Sequence, residues 1–105
     1  MRVRDLNPEL RHPKRQDDPT LTVPEAWGLH MRCPCGQHDT WLPFQHATPH
    51  GTHPAWCATG TTVDDLSFVD SDRGTRSVRC FHACKCHYNI VNGAIEFYDD
   101  SGFKA

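Results

Sequence analysis

Two cysteine pairs carry the most chemistry in this chain: Cys33-Pro34-Cys35-Gly36 and, far downstream, Cys84-Lys85-Cys86-His87. A Cys-x-Cys pair does not readily close on itself, because its sulfurs are too close to relax into a dihedral of about 90°. Thiolates from both clusters can instead meet around one Zn²⁺, which takes four donors at tetrahedral angles. Spacing leaves two ligand sets open. One is Cys33, Cys35, Cys84 and Cys86; the other uses His87 with one or both of the last two thiols. Alternation along a strand puts Cys84 and Cys86 on the side of Tyr88 and turns His87 the other way, but irregular strand starts keep His87 in the set. Either set closes a long loop, where a metal clip constrains the unfolded chain most. Structural zinc sites contribute about 10 kcal/mol, more than a small domain's whole stability, so the metal-free chain is expected to be unfolded or molten.

The remaining cysteines and histidines read more plainly. Cys57 and Cys80 are expected to be buried fillers, the usual fate of a free cysteine. A second metal site drawing on His50, His53 or His82 is the weaker alternative. His30, His38 and His46 read as loop or surface residues, although His38 is near enough to the first knuckle to substitute as a ligand. The signatures of zinc enzymes, His-x-Glu with Pro-Cys-x-x-Cys and His-Glu-x-x-His, are absent. The pattern therefore points to a structural zinc and away from an enzyme.

Size and composition agree with a need for such a staple. The chain has 105 residues, of which 37% are apolar, with six Cys and eight His. That is one domain with a thin core. The opening Met1-Arg2-Val3-Arg4-Asp5 is charged, no apolar leader follows and no stretch is long enough to span a membrane. The expectation is a reducing compartment, host cytoplasm or virion, in which thiols bind metal rather than pair. The net charge of −2 provides no global attraction to nucleic acid. The charge is nevertheless uneven, with Arg2, Arg4, Arg11, Lys14 and Arg15 gathered near the start and Glu96, Asp99 and Asp100 near the end.

The elements that must position the cysteines are short strands. Residues 1–24 hold four prolines, many charges and little apolar periodicity, and read as an extended basic arm that orders only against a partner. From residue 25 to 105 the pattern is that of a β-rich zinc-binding domain. Trp27, Leu29 and Met31 alternate into the first knuckle, and Thr40 to Phe44 returns, so the knuckle is a hairpin tip. His46 to Thr62 reads as a long loop anchored by Trp56-Cys57. Leu66 and Phe68, then Ser77 to Phe81, suggest further short strands. Asn92-Gly93 between two apolar runs is the strongest two-residue hairpin signal. It sets Tyr88 against Phe97, Ile90 against Ile95 and Val91 against Ala94, with Asn89 and Glu96 on a wet face. The fold class is thus all-β, a small zinc-stabilised domain of knuckle hairpins with an extended N-terminal arm.

The phrase Cys86-His87-Tyr88-Asn89-Ile90-Val91-Asn92-Gly93-Ala94-Ile95-Glu96-Phe97, with Trp27 and Cys33-Pro34-Cys35-Gly36 upstream, resembles a family of small bacterial and phage zinc-binding proteins of unknown function. Some phage members of it carry an "ammonia monooxygenase" label that nothing in the motif supports. The resemblance covers roughly residues 27 to 98. It implies a β-rich zinc domain with Cys33, Cys35, Cys86 and His87 as ligands by motif position. Cys84 and the longer middle segment depart from the pattern.

These readings converge on a phage-encoded, non-enzymatic interaction or assembly module, a virion accessory or host-factor binder whose arm docks on a protein partner. The rival class is a nucleic-acid-binding zinc protein that uses Arg2, Arg4, Arg11, Lys14 and Arg15 with Trp41 or Trp56. A zinc-dependent hydrolase is the third.

Overall fold

Proline, glycine and short polar runs interrupt this chain so often that only brief extended segments survive, and the fold is assembled from them. The computed structural model describes residues 1–104. It is all-β, with strands β1 (Glu9–Arg11), β2 (Gly28–Arg32), β3 (Asp39–Pro43), β4 (Cys57–Thr59), β5 (Ser67–Val69), β6 (Val78–Arg79), β7 (His87–Val91) and β8 (Ala94–Phe97). Short 3₁₀ turns occupy Val3–Leu6 and Gln45–Ala47. All named pairings are antiparallel and form three small sheets: β1-β2-β3, β4-β5 and β6-β7-β8.

The last hairpin has the register that its turn demands. Asn92 and Gly93 both adopt positive φ, +48° and +76°, the combination that a type I′ turn requires. Tyr88 then pairs with Phe97, Asn89 with Glu96, Ile90 with Ile95 and Val91 with Ala94. Tyr88 and Ile90 enter a core shared with Leu29, Met31, Leu42, Phe44, Leu66 and Phe68. Trp56 stacks on Phe68 with ring centroids 5.8 Å apart, which anchors the middle loop as its sequence suggests. Asn89 departs from expectation: it is buried rather than wet, and its Oδ1 has no hydrogen-bond partner among the described residues.

Residues 1–24 are not an extended arm, and this corrects the sequence reading. Val3, Leu6, Leu21 and Val23 are buried in the common core, while β1 extends the β2-β3 sheet. Apolar residues too sparse to show a period are still enough to dock a segment when each finds a slot. The cations of this segment are engaged within the chain. Arg2 donates to the carbonyls of Asp64 and Asn92, and Arg4 lies 3.8 Å from the Asp64 carboxylate. Arg11 pairs with Glu9 and Arg15 with both Asp18 and Glu25. Of the tryptophans named for nucleic-acid stacking, Trp41 is half exposed and Trp56 buried.

The start of the chain is clamped to the hairpin tip. Val3 N–H donates to the Gly93 carbonyl, and Gly93 N–H donates to that of Leu66. A methyl group on Gly93 would collide with the Asp64 carbonyl, in a left-handed backbone that side chains already disfavour. Gly93→Ala is expected to lower stability by about 1–3 kcal/mol, read from denaturant unfolding; an unchanged midpoint would show that the clamp is slack.

Arg15 fixes the proline-rich turn. Hydrogen bonds from Thr20, then from Arg15, pull Asp18 down to about 2, and bonds from Thr22, then Arg15, pull Glu25 down to about 2. Carboxyls with depressed native values stabilise the fold above their unfolded values, near 3.8 and 4.5, and lose that contribution as pH falls towards 2. Arg15→Met is therefore expected to lower stability most at pH 7 and least near pH 2, making the acid-unfolding profile shallower between pH 4.5 and 2; scanning fluorimetry from pH 7 down through that range checks it.

Candidate functional site

The turn between β2 and β3 and the loop between β6 and β7 bring sulfur together from both ends of the domain. In the first, Cys33 N–H donates to the His38 carbonyl, Gly36 N–H donates to that of Cys33, and Gly36 takes a φ of +81°. Gln37 N–H points at the Cys35 Sγ, 3.4 Å away. In the second, Cys80 N–H continues the ladder to the Cys86 carbonyl, Lys85 turns through a positive φ, and His82 N–H lies 3.4 Å from the Cys80 Sγ. Both loops thus aim backbone amides at a thiol, an environment that favours thiolate.

The sulfurs stand at ligand-like separations. Cys33 Sγ is 3.7 Å from Cys86 Sγ and 3.9 Å from Cys84 Sγ, and Cys84 Sγ is 3.3 Å from Cys80 Sγ. A tetrahedral ion with bonds of about 2.3 Å to sulfur sets its ligands about 3.8 Å apart. Two groups of four can hold a metal ion, each with ligand atoms within 4.8 Å of one another: Cys33, Cys35, Cys84 and Cys86, and Cys33, His38, Cys80 and Cys84. Burial is the largest influence on the thiols and pushes Cys33, Cys80 and Cys86 up, Cys86 to about 11. Burial also opposes ionisation at Cys84, but hydrogen bonds led by the Cys86 amide outweigh it and bring Cys84 down to about 7.

The four cysteines named from the sequence are brought together, and His87 is not with them. Cys86 faces the cluster and its neighbour faces away, as strand alternation dictates. His87 Nδ1 lies 2.6 Å from Asp100 Oδ1. A carboxylate only accepts, so Nδ1 carries the proton in that bond. Tyr98 stacks on the ring at 4.3 Å, and Arg79 Nη2 lies 3.2 Å from Asp100 Oδ2, 3.2 Å from His87 Nδ1 and 3.5 Å from His87 Nε2. The His87 hydrogen bond, then that of Arg79, holds the Asp100 carboxyl below the usual carboxylate range.

Cross-strand register populates the rest of this second face. Arg79 pairs with His87 and Val78 with Tyr88. One residue before β6, Ser77 therefore falls across from the buried Asn89, on the face of Arg79 and His87. Among the described residues the Ser77 hydroxyl has no hydrogen-bond partner, whereas the other serines are engaged. Ser101 Oγ accepts from His87 N–H and donates to the Phe103 carbonyl, Ser71 Oγ donates to Gln45, and Ser67 Oγ accepts from Asn92 N–H. No serine hydroxyl bonds an imidazole ring among the described residues.

Sequence reasoning missed the place of Cys80 and the His87–Asp100 pair, whereas His38, named from the sequence as able to substitute as a ligand, does stand at the cluster. Cys80 joins the cluster instead of filling the core, and Cys57 remains outside it in β4 opposite Val69. His38 Nε2 lies 3.2 Å from Cys80 Sγ, and its ring is tilted against that of His82 with centroids 4.1 Å apart. The His87–Asp100 pair was readable only by running the hairpin register past Phe97, which sets Tyr98 beside His87 and Asp100 just beyond.

A family model described as bacterial ubiquitination-like system serine protease (BubE) matches residues 6–98. The chain belongs to that family. No match was found among the curated proteins or among the solved structures. Membership of the BubE family overturns the expectation of a non-enzymatic assembly module, because the family's description names a protease. A protease need not use its metal ligands for catalysis, so the absence of zinc-enzyme signatures did not exclude an enzyme. What survives of the resemblance to small zinc-binding proteins is a Cys/His cluster that can hold a metal ion. No helix among the described residues is long and apolar enough to cross a membrane.

Two substitutions separate the faces. Cys86→Ser is expected to lower bound metal, measured by elemental analysis, and to lower the melting temperature. His87→Gln should leave the metal content unchanged; loss of metal in that variant would return His87 to the ligand set.

Proposed function

We propose that this chain is a serine peptidase acting in a bacterial ubiquitination-like system, with Ser77 as nucleophile, His87 as general base and Asp100 as the group that orients it. The observation that carries the reading is the His87–Asp100 pair at 2.6 Å; the β6–β7 register, continued by one residue, sets Ser77 on the same face. Ser77 is diagonal to His87 across β6 and β7. Such neighbours are about 7–8 Å apart at the backbone, a gap that an imidazole and a hydroxyl can close. Catalytic hydrogen bonds often tighten only with substrate bound.

Each residue then has a role that fits its chemistry. His87 Nε2 removes the Ser77 proton as Oγ attacks the carbonyl carbon, and returns it to the leaving nitrogen. Asp100 keeps the proton on Nδ1 and stabilises the imidazolium that forms. Asn89 lies across from Ser77 in the continued register, and its Nδ2, the donor end of the amide, is the group there that can donate to the oxyanion. Arg79 is the charged donor nearest the same point. Its side chain is half exposed, so it can swing away from the His87 ring when substrate enters.

The metal in this reading is Zn²⁺, held by Cys33, Cys35, Cys84 and Cys86. A soft all-thiolate set suits zinc, closes its coordination and leaves no position for water, so the ion is structural and takes no part in the hydrolysis. It braces β7 from behind the face that carries His87.

A fluorophosphonate probe tests the reading without a known substrate, because it phosphonylates only activated serines. Mapping by mass spectrometry is expected to find the label on Ser77. Ser77→Ala and His87→Gln should abolish labelling, Asp100→Asn should slow it by about 10³–10⁴-fold, and Ser71→Ala should leave it unchanged. A label on another serine, or no label on folded protein, would remove Ser77 from the role.

A further inference from the structure

The six metal-binding side chains outnumber what one ion can use, and the way they overlap suggests why. The two groups of four share two members, Cys33 and Cys84. Together they comprise Cys33, Cys35, His38, Cys80, Cys84 and Cys86. Two tetrahedral ions need eight donor positions, and six side chains supply eight only when two of them bridge. We propose that this centre is binuclear, with Cys33 and Cys84 bridging two divalent ions, Cys35 and Cys86 completing the first and Cys80 and His38 completing the second. The inference rests on the metal reading of the first quartet and adds the second ion, its ligands and the bridges.

Geometry favours bridging over a choice between quartets. Cys84 Sγ stands between the sets, 3.3 Å from Cys80 Sγ and 3.9 Å from Cys33 Sγ. Cys33 Sγ in turn lies 3.7 Å from Cys86 Sγ. His38 Nε2 is 3.2 Å from Cys80 Sγ, against about 3.6 Å for the nitrogen–sulfur edge of a zinc tetrahedron. One ion in the first quartet would strand Cys80 and His38 side by side at ligand distance. One ion in the second would strand Cys35 and Cys86, of which Cys86 is wholly buried. The bridged centre strands none.

Charge points the same way. A single divalent ion among four thiolates keeps two net negative charges in a partly buried site. Two divalent ions among five thiolates and a neutral imidazole keep one, and each bridging sulfur shares its charge between both metals. The less charged centre has the smaller desolvation cost. Each thiol releases its proton on binding, so loading both ions should become more proton-sensitive than loading one.

Native mass spectrometry of the full chain loaded with Zn²⁺ counts the ions directly, and the expected value is two per chain. His38→Ala and Cys80→Ala should each hold one ion and stay folded, since the first quartet is intact. With ¹¹³Cd²⁺ in place of zinc, the Hβ protons of Cys33 and Cys84 should couple to both cadmium nuclei and those of Cys35 and Cys86 to one. One ion per chain, with His38→Ala unchanged in count, overturns the binuclear centre and leaves the first quartet standing. Two ions without shared couplings, or a Cys80–Cys84 disulfide beside one ion, also overturn it. No ion at all would overturn the metal reading together with it.

Discussion

Adjacent residues on a strand point to opposite faces, and at Cys86-His87 this constraint divides the molecule into its two working parts. The thiol turns inward to sulfurs delivered by the β2–β3 turn and the β6–β7 loop. The imidazole turns outward to Asp100 and Tyr98. Sulfurs gathered this closely are poor company for each other without a cation, because neighbouring thiolates repel and buried thiols resist ionising. A metal ion converts that repulsion into the strongest tie between segments far apart in sequence.

On the proposed reading, this division is what would let a chain with so thin a core carry a catalytic face. A general base must be held to a fraction of an ångström, and short strands between proline- and glycine-rich turns do not by themselves provide such rigidity. A metal ion held by the cysteines would brace β7 from behind and stiffen the strand under His87. Asn89, next on the same face, is the one buried side chain with an unsatisfied polar atom among the described residues. Polar groups are left unpaired in interiors at a cost, and a site that receives a substrate is where such a cost is tolerated.

Much of the scaffold was legible in the residues, and the reasons differ from part to part. Asn92-Gly93 admits one turn type and one register, so the β7–β8 pairing followed from local chemistry alone. The convergence of Cys33, Cys35, Cys84 and Cys86 followed from what two Cys-x-Cys pairs can do. The first 24 residues misled because Val3, Leu6, Leu21 and Val23 are isolated apolar residues among charges, and their burial depends on partners that only the folded chain supplies. Cys80 and His38 lay outside the recognisable knuckles, and their place in the cluster depends on how two loops meet in space. The His87–Asp100 pair was hidden for a further reason: His87 follows a cysteine motif so closely that it reads as a fifth ligand.

Hydrogen exchange with and without a strong chelator tests most directly whether the metal centre is what fixes β7. Bound metal is expected to protect the amides of Cys33, Cys80, Cys86 and His87, and chelation to release all of them together with the β6–β7 ladder. Protection that stays the same after the metal is gone would mean that the hydrophobic packing of Tyr88 and Ile90 holds this strand unaided, and the dependence of the catalytic face on the sulfur cluster would be contradicted.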